Sequence, residues 1–304
     1  MTRTSLTLGP VLFNWQPERW RDFYFQVADE APVDTVYVGE IVCSKRAPFY
    51  AEHIPTVIER LAAAGKEVVL STPALVTTER ERTAVRELIE AADYRLEAND
   101  IGALAYLAGK PHDIGPLVNV YNEATLAWMA GNGATRICLP PELTREALRA
   151  LAGEAAKQSV ALEVMVFGRL PLAISARCYH ARAHGLHKDG CQFVCNQDDD
   201  GMRVDTLDGE AFLAVNGTQT LSYTYNALLS ELSELSAMGI NRFRLSPHSM
   251  DMVAVARLYR ALLDGTLSAA EARARLAEMV GAAPLSNGFY QGREGAAMVL
   301  GEMD

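Results

Sequence analysis

The chain has 304 residues, 49% hydrophobic and 22% charged, enough for one large domain or two ordinary ones around a sizeable core, with no compositional sign of disorder. A formal net charge of −10 argues against a broad basic surface, and so against non-specific binding of nucleic acid or anionic lipid. The opening MTRTSLTLGPVLFNW lacks the apolar run and small-residue cleavage site of a secretory leader, and no window approaches the roughly 20 apolar residues of a spanning helix. A cytoplasmic protein without a stable membrane anchor is expected, a compartment in which grouped cysteines point to metal or catalysis more than to disulfides.

Strand-like runs and helical patterns alternate along the first two-thirds. Branched residues predict strands at 5–8, 35–38 and 67–71. Helical spacing follows at 56–64, stopped by Gly65, and at 78–92, where TTERE places acids at the favourable end of the helix dipole. Further strands are expected at 94–98, 115–120, 135–139 and 161–167, with helices at 101–109, 124–130 and 143–156. The pattern breaks over 168–235, which holds three cysteines, the acidic turn Asp198–Gly201 and short alternating stretches such as 202–207. A helix at 228–238, a last strand at 240–245 and helices at 250–263 and 269–280 complete the chain. Eight strands, each followed by a helix or an insertion, predict an α/β fold, a TIM-like (β/α)8 barrel. An open doubly wound sheet has the same local pattern. The barrel is favoured because eight units fill the length as one domain, 1–304, with a cysteine-bearing insertion at 168–235 after the seventh strand and no linker to a second domain.

The cysteines are Cys43, Cys138, Cys178, Cys191 and Cys195, the last three spaced C-x12-C-x3-C. Soft thiolates suit iron–sulfur clusters and zinc. In a barrel the loops after strands 2 and 7 share the C-terminal face, so Cys43 can meet the 178–195 segment there despite the sequence distance. The spacing is not the paired C-x-x-C of zinc ribbons, although zinc stays open, and His180, His184 and His187 crowd the same loop as substitute ligands or as a solvated surface. Cys138, between Ile137 and Leu139 in a predicted strand, reads as a small core residue. Glu40, three residues before Cys43, is a candidate substrate-orienting group or base, or a loop cap. Arg169 and Arg177, flanking the first cysteine of the insertion, are candidates for tuning a cluster or binding a carboxylate, or for structural ion pairs. Asn119, Tyr121, Asn122, Ser246 and His248 fall at strand ends where barrel chemistry gathers, and Tyr179, Phe193 and Phe289 are candidate shields of a cluster or ordinary core. Neither G-x-S-x-G nor H-E-x-x-H is present.

Three stretches together, VYVGEIVCSKR, GRLPLAISARCYHARAHGLHKDGCQFVC and NGFYQGREG, resemble the UbiV family of ubiquinone-biosynthesis proteins, relatives of the collagenase-like peptidases. The resemblance runs in order over nearly the whole chain. It implies a barrel and a [4Fe–4S] cluster on Cys43, Cys178, Cys191 and Cys195. It also implies a UbiU-like partner in a heterodimer, a UbiT-like lipid-binding accessory protein, and O2-independent hydroxylation of a prenylated quinone precursor. A non-catalytic electron-relay or structural iron–sulfur subunit, or a relative acting on RNA or peptides, is the alternative. The acidic charge makes nucleic acid a poor partner.

Overall fold

The computed structural model describes residues 4–300; residues 1–3 of the N-terminal stretch read above lie outside them. In chain order the strands are β1 (Ser5–Leu8), β2 (Thr35–Val38), β3 (Glu67–Ser71), β4 (Arg95–Ala98), β5 (His112–Ile114), β6 (Ala134–Cys138), β7 (Ala161–Ile174), β8 (Met202–Asp205), β9 (Ala211–Asn216), β10 (Gln219–Ala227), β11 (Arg242–Leu245) and β12 (Leu285–Ser286). Strands β1 to β7 pair in parallel with their neighbours, and β11 closes the ring by pairing in parallel with both β7 and β1. The result is the expected eight-stranded parallel barrel, wrapped by helices.

The helices form where caps and apolar stripes coincide. Thr78 and Glu81 make a reciprocal capping box at the start of Glu79–Ala91, and Ser268 and Glu271 make another at Ala269–Val280. Helix Met252–Leu263 buries Val253, Val255, Ala256 and Tyr259 on its barrel side, and the Tyr259 hydroxyl donates to the Val166 carbonyl at 2.8 Å. Among the described residues no helix is long and apolar enough to cross a membrane.

Two elements differ from expectation. The fifth strand is His112–Ile114, not 115–120; Pro116 has no amide hydrogen for a ladder, so Pro116–Val118 winds into a 3-10 turn that ends with Asn119 at φ 64°. Strand β7 does not stop at residue 167. It crosses Gly168, at φ +125°, and continues to Ile174 as the first strand of the insertion, where it pairs antiparallel with β10. A side chain at Gly168 would strike the Ser246 Cβ at 2.6 Å, so this crossing requires glycine. Strands β8, β9 and β10 extend the sheet beyond the barrel wall.

The barrel interior is charged. Arg244 bridges Glu163 (2.7 Å) and Glu97 (2.6 Å) and lies 3.9 Å from the centre of the Tyr37 ring. Thr7 and Tyr37 donate their hydroxyls to Glu163. Nearer the N-terminal ends of the strands, Arg95 pairs with Asp113 and Arg136 with Glu67. Burial would push the Glu163 carboxyl up, but the Arg244 and Arg242 guanidiniums outweigh it and hold it down to about 2. At Asp113 burial prevails over Arg136 and Arg95, and its carboxyl is raised to about 6.

Candidate metal centre

Cys43 follows β2 through a loop whose shape Glu40 sets. The buried Glu40 Oε1 accepts the backbone N–H groups of Val42 (2.8 Å) and Cys43 (2.9 Å). Glu40 therefore acts as the loop cap; burial pushes its carboxyl up, against the pull of Arg46. The Thr218 hydroxyl, from the turn between β9 and β10, donates to the Val42 carbonyl at 2.8 Å, and Lys45 Nζ donates to the Lys188 carbonyl at 2.8 Å. These ties dock the insertion on the Cys43 loop.

Cys178 caps the short helix Tyr179–Ala183, its Sγ accepting the Ala181 N–H at 3.4 Å. Cys191 closes the 3-10 turn Lys188–Gly190, and Cys195 lies in the next, Val194–Gln197. Between them Gln192 (φ 49°) and Phe193 (φ 55°) are consecutive left-handed residues, neither a glycine. That conformation costs about 1–2 kcal/mol per residue, and such strain gathers at ligand clamps. The reversal leaves both cysteines on one wall, with Phe193 edge-on to Phe49 at 4.7 Å.

Cys43, Cys178, Cys191 and Cys195 line a single cavity together with Arg46, His180, Lys188 and Phe193. All five cysteines are free thiols. Cys138 does not line the cavity. It is buried in the barrel, where burial drives its thiol far up. Burial also raises the Cys43 and Cys178 thiols. Asn14 Nδ2 stands 3.4 Å from the Cys195 Sγ and adds an N–H donor suited to a thiolate.

Among the described residues no three His, Cys, Asp or Glu side chains converge closely enough to hold a single metal ion. Four thiols lining one cavity are the donor set of a tetrahedral zinc and equally of an iron–sulfur cluster. Arg46 completes the fit. It is 1% exposed and its Nε lacks a hydrogen-bond partner, in a wall that also carries the four thiols. A buried unpaired donor costs about 1–3 kcal/mol, which an anionic group in the cavity would offset.

The remaining predicted residues sit elsewhere. Arg169 donates to the Ser222 and Tyr223 carbonyls between the Tyr223 and Tyr225 rings, away from the cavity wall. Arg177 and Tyr179 are exposed. Asn122 caps the helix Glu123–Gly131, and the Tyr121 hydroxyl donates to Glu142. His187 is exposed, and His184 stacks on His180 at 5.5 Å. The turn Asp198–Gly201 sews the insertion to the barrel. Asp199 pairs with Arg19 (2.6 Å) and Asp200 with Ser249 and, at 3.4 Å, buried His248, both across to the barrel, while Asp198 pairs with buried His180 (2.9 Å) within the insertion. His248 Nε2 accepts the Arg169 N–H and His180 Nδ1 lies 3.2 Å from the Val215 carbonyl, while His180 Nε2 and His248 Nδ1 face the two aspartates without a well-formed hydrogen bond. Sequence reasoning did not single out Arg46, Asn14, Asn216 or Gly217; the one local signal was Arg46 three residues after Cys43, which a single tight turn brings back toward the thiol.

A family model described as Peptidase family U32 matches residues 20–299, a span that takes in all five cysteines and every barrel strand but β1.

Proposed function

The chain belongs to peptidase family U32, and on that premise we propose that it is an iron–sulfur protein of the UbiV type rather than a peptidase. The observation that carries this reading is the single cavity lined by Cys43, Cys178, Cys191 and Cys195 and omitting Cys138, the same four cysteines that the resemblance selects. They would hold a [4Fe–4S] cluster, which supplies one-electron chemistry when bound. The chain's own residues orient it: Glu40 shapes the Cys43 loop, Asn14 and the Ala181 N–H donate to the Cys195 and Cys178 sulfurs, and Phe193 lines the cavity beside them.

The activity we assign is a part in O2-independent hydroxylation of a prenylated quinone precursor, together with a UbiU-like protein in a heterodimer and a UbiT-like lipid-binding protein. Of the two buried His–Asp pairs, His180–Asp198 borders the cysteine cavity and His248–Asp200 does not, and neither G-x-S-x-G nor H-E-x-x-H accompanies them.

The test is genetic and chemical. In an anaerobically grown strain deleted for this gene, the intact chain restores quinone synthesis, and serine at Cys43, Cys178, Cys191 or Cys195 abolishes the rescue while serine at Cys138 does not. Rescue by all five variants, or peptide cleavage by the purified chain, would contradict the proposal.

A further inference from the structure

Two cations line the cysteine cavity: Lys188 is part-exposed, whereas Arg46 is 1% exposed. Arg46 sits in a built seat. Its Nη1 donates to the Leu12 carbonyl at 2.9 Å and its Nη2 to Asn216 Oδ1 at 2.9 Å. Asn216 Nδ2 donates in turn to the same Leu12 carbonyl at 2.7 Å, so both ends of the fork rest on one rigid frame. Gly217 makes the room: a Cβ there would stand 2.5 Å from Nη2. The guanidinium is thus held through both Nη atoms, and its Nε–H is left without a partner. The Nε of Arg169 and of Arg242 is also buried and unpaired, but of the three arginines only Arg46 lines the cysteine cavity.

The charge balance at Arg46 points to the same cavity. Glu40 lies near enough to stabilise Arg46, yet its Oε1 is committed to the backbone of the Cys43 loop. Burial opposes the Arg46 charge, and besides Glu40 the groups that favour it are Cys195, which also bonds the guanidinium, and Cys43. Four thiolates around a [4Fe–4S]2+ core carry a formal excess of two negative charges, and a buried site needs a counter-charge for them.

We infer that Arg46 is a positioning residue for the four-cysteine site, giving its free Nε–H and its positive charge to the thiolate-bound group and so setting how readily that group accepts an electron. The inference rests on the iron–sulfur reading above. The electron transfer concerned is the simplest one: the cluster gains one electron from an added chemical reductant such as dithionite, and no bond forms or breaks. Removing a fixed positive charge destabilises the reduced, more negative state and lowers the midpoint.

The test is a potentiometric titration followed by electron paramagnetic resonance on anaerobically loaded wild type, R46Q and R46K. At a given potential R46Q is expected to be at least tenfold less reduced, a midpoint lower by about 59 mV or more for one electron, with iron and sulfide content retained. R46K keeps the charge and is expected to recover at least half of the shift. Equal midpoints in all three overturn the inference and leave the cluster reading standing. A folded R46Q that holds no iron, beside a loaded R46K, supports the counter-charge role. Should R46Q fail to fold, R46M, which keeps much of the side-chain bulk without the charge, takes its place; an unshifted midpoint there overturns the inference, and a lowered one supports it. A wild type that takes up neither iron nor sulfide overturns the iron–sulfur reading, and this inference with it.

Discussion

Replacing Arg244 with methionine removes the cation at the centre of the barrel. Arg244 is 4% exposed and bonds Glu163 and Glu97, which are 1% and 0% exposed. Methionine fills much of the space but leaves both carboxylates without that partner. Breaking a buried ion pair from one side costs about 3–5 kcal/mol, a large share of the roughly 5–15 kcal/mol of a typical domain. The cost carries a pH signature. In the wild type the Glu163 carboxyl lies at about 2, below its ordinary value of 4.5. Its stabilising contribution is therefore complete above the ordinary value and is lost as pH falls through the folded one. Arg244 is the largest of the influences that lower it, so in R244M the depression is mostly gone, and protonating Glu163 relieves the variant rather than harming it. Urea unfolding at about pH 7 and about pH 4 measures the difference, with the larger deficit expected at the higher pH. A deficit below about 1 kcal/mol, the range of surface pairs, or one equal at both pH values, would refute this account of the barrel interior.

Cys138→Ala should cost about 1 kcal/mol and leave the bound iron unchanged, whereas Cys178→Ser should empty the site; metal analysis beside thermal unfolding separates the two. Gly217→Ala is expected to lose about 1–2 kcal/mol for a left-handed alanine and to dislodge Arg46, since the position has φ +62° and the new methyl stands 2.5 Å from Nη2; loss of iron retention together with a lowered Tm is the signature, and an unchanged Tm would count against it. Asp198→Ala frees His180 and loosens the turn within the insertion, so limited proteolysis near residues 198–201 should speed up while hydrogen exchange in the barrel strands stays as in the wild type.

The barrel was legible because each unit carries its own local signal, branched strand then amphipathic helix, and those signals do not depend on distant contacts. The fifth strand was not. His112–Ile114 is short and turns Asp113 toward Arg95 and Arg136 inside a charged barrel, so the expected apolar pattern is absent, while the apolar PLV next to it is bent by Pro116. The meeting of Cys43 with the insertion followed from barrel geometry, and the cavity does gather those thiols. Its cation was a different matter. Arg169 and Arg177 stand near Cys178 in sequence, but β7 carries one of them to the Tyr223 and Tyr225 rings and the other lies in solvent. Arg46 reaches the site through a tight turn and a frame built from Leu12 and Asn216, the latter 170 residues away, contacts that no local pattern encodes.

The most direct test of the central claim is iron and acid-labile sulfide analysis of the chain purified without oxygen. About four irons and four sulfides per chain are expected, with broad visible absorption, all lost when Cys191 becomes serine. A colourless protein carrying one zinc, or no metal, would contradict the account.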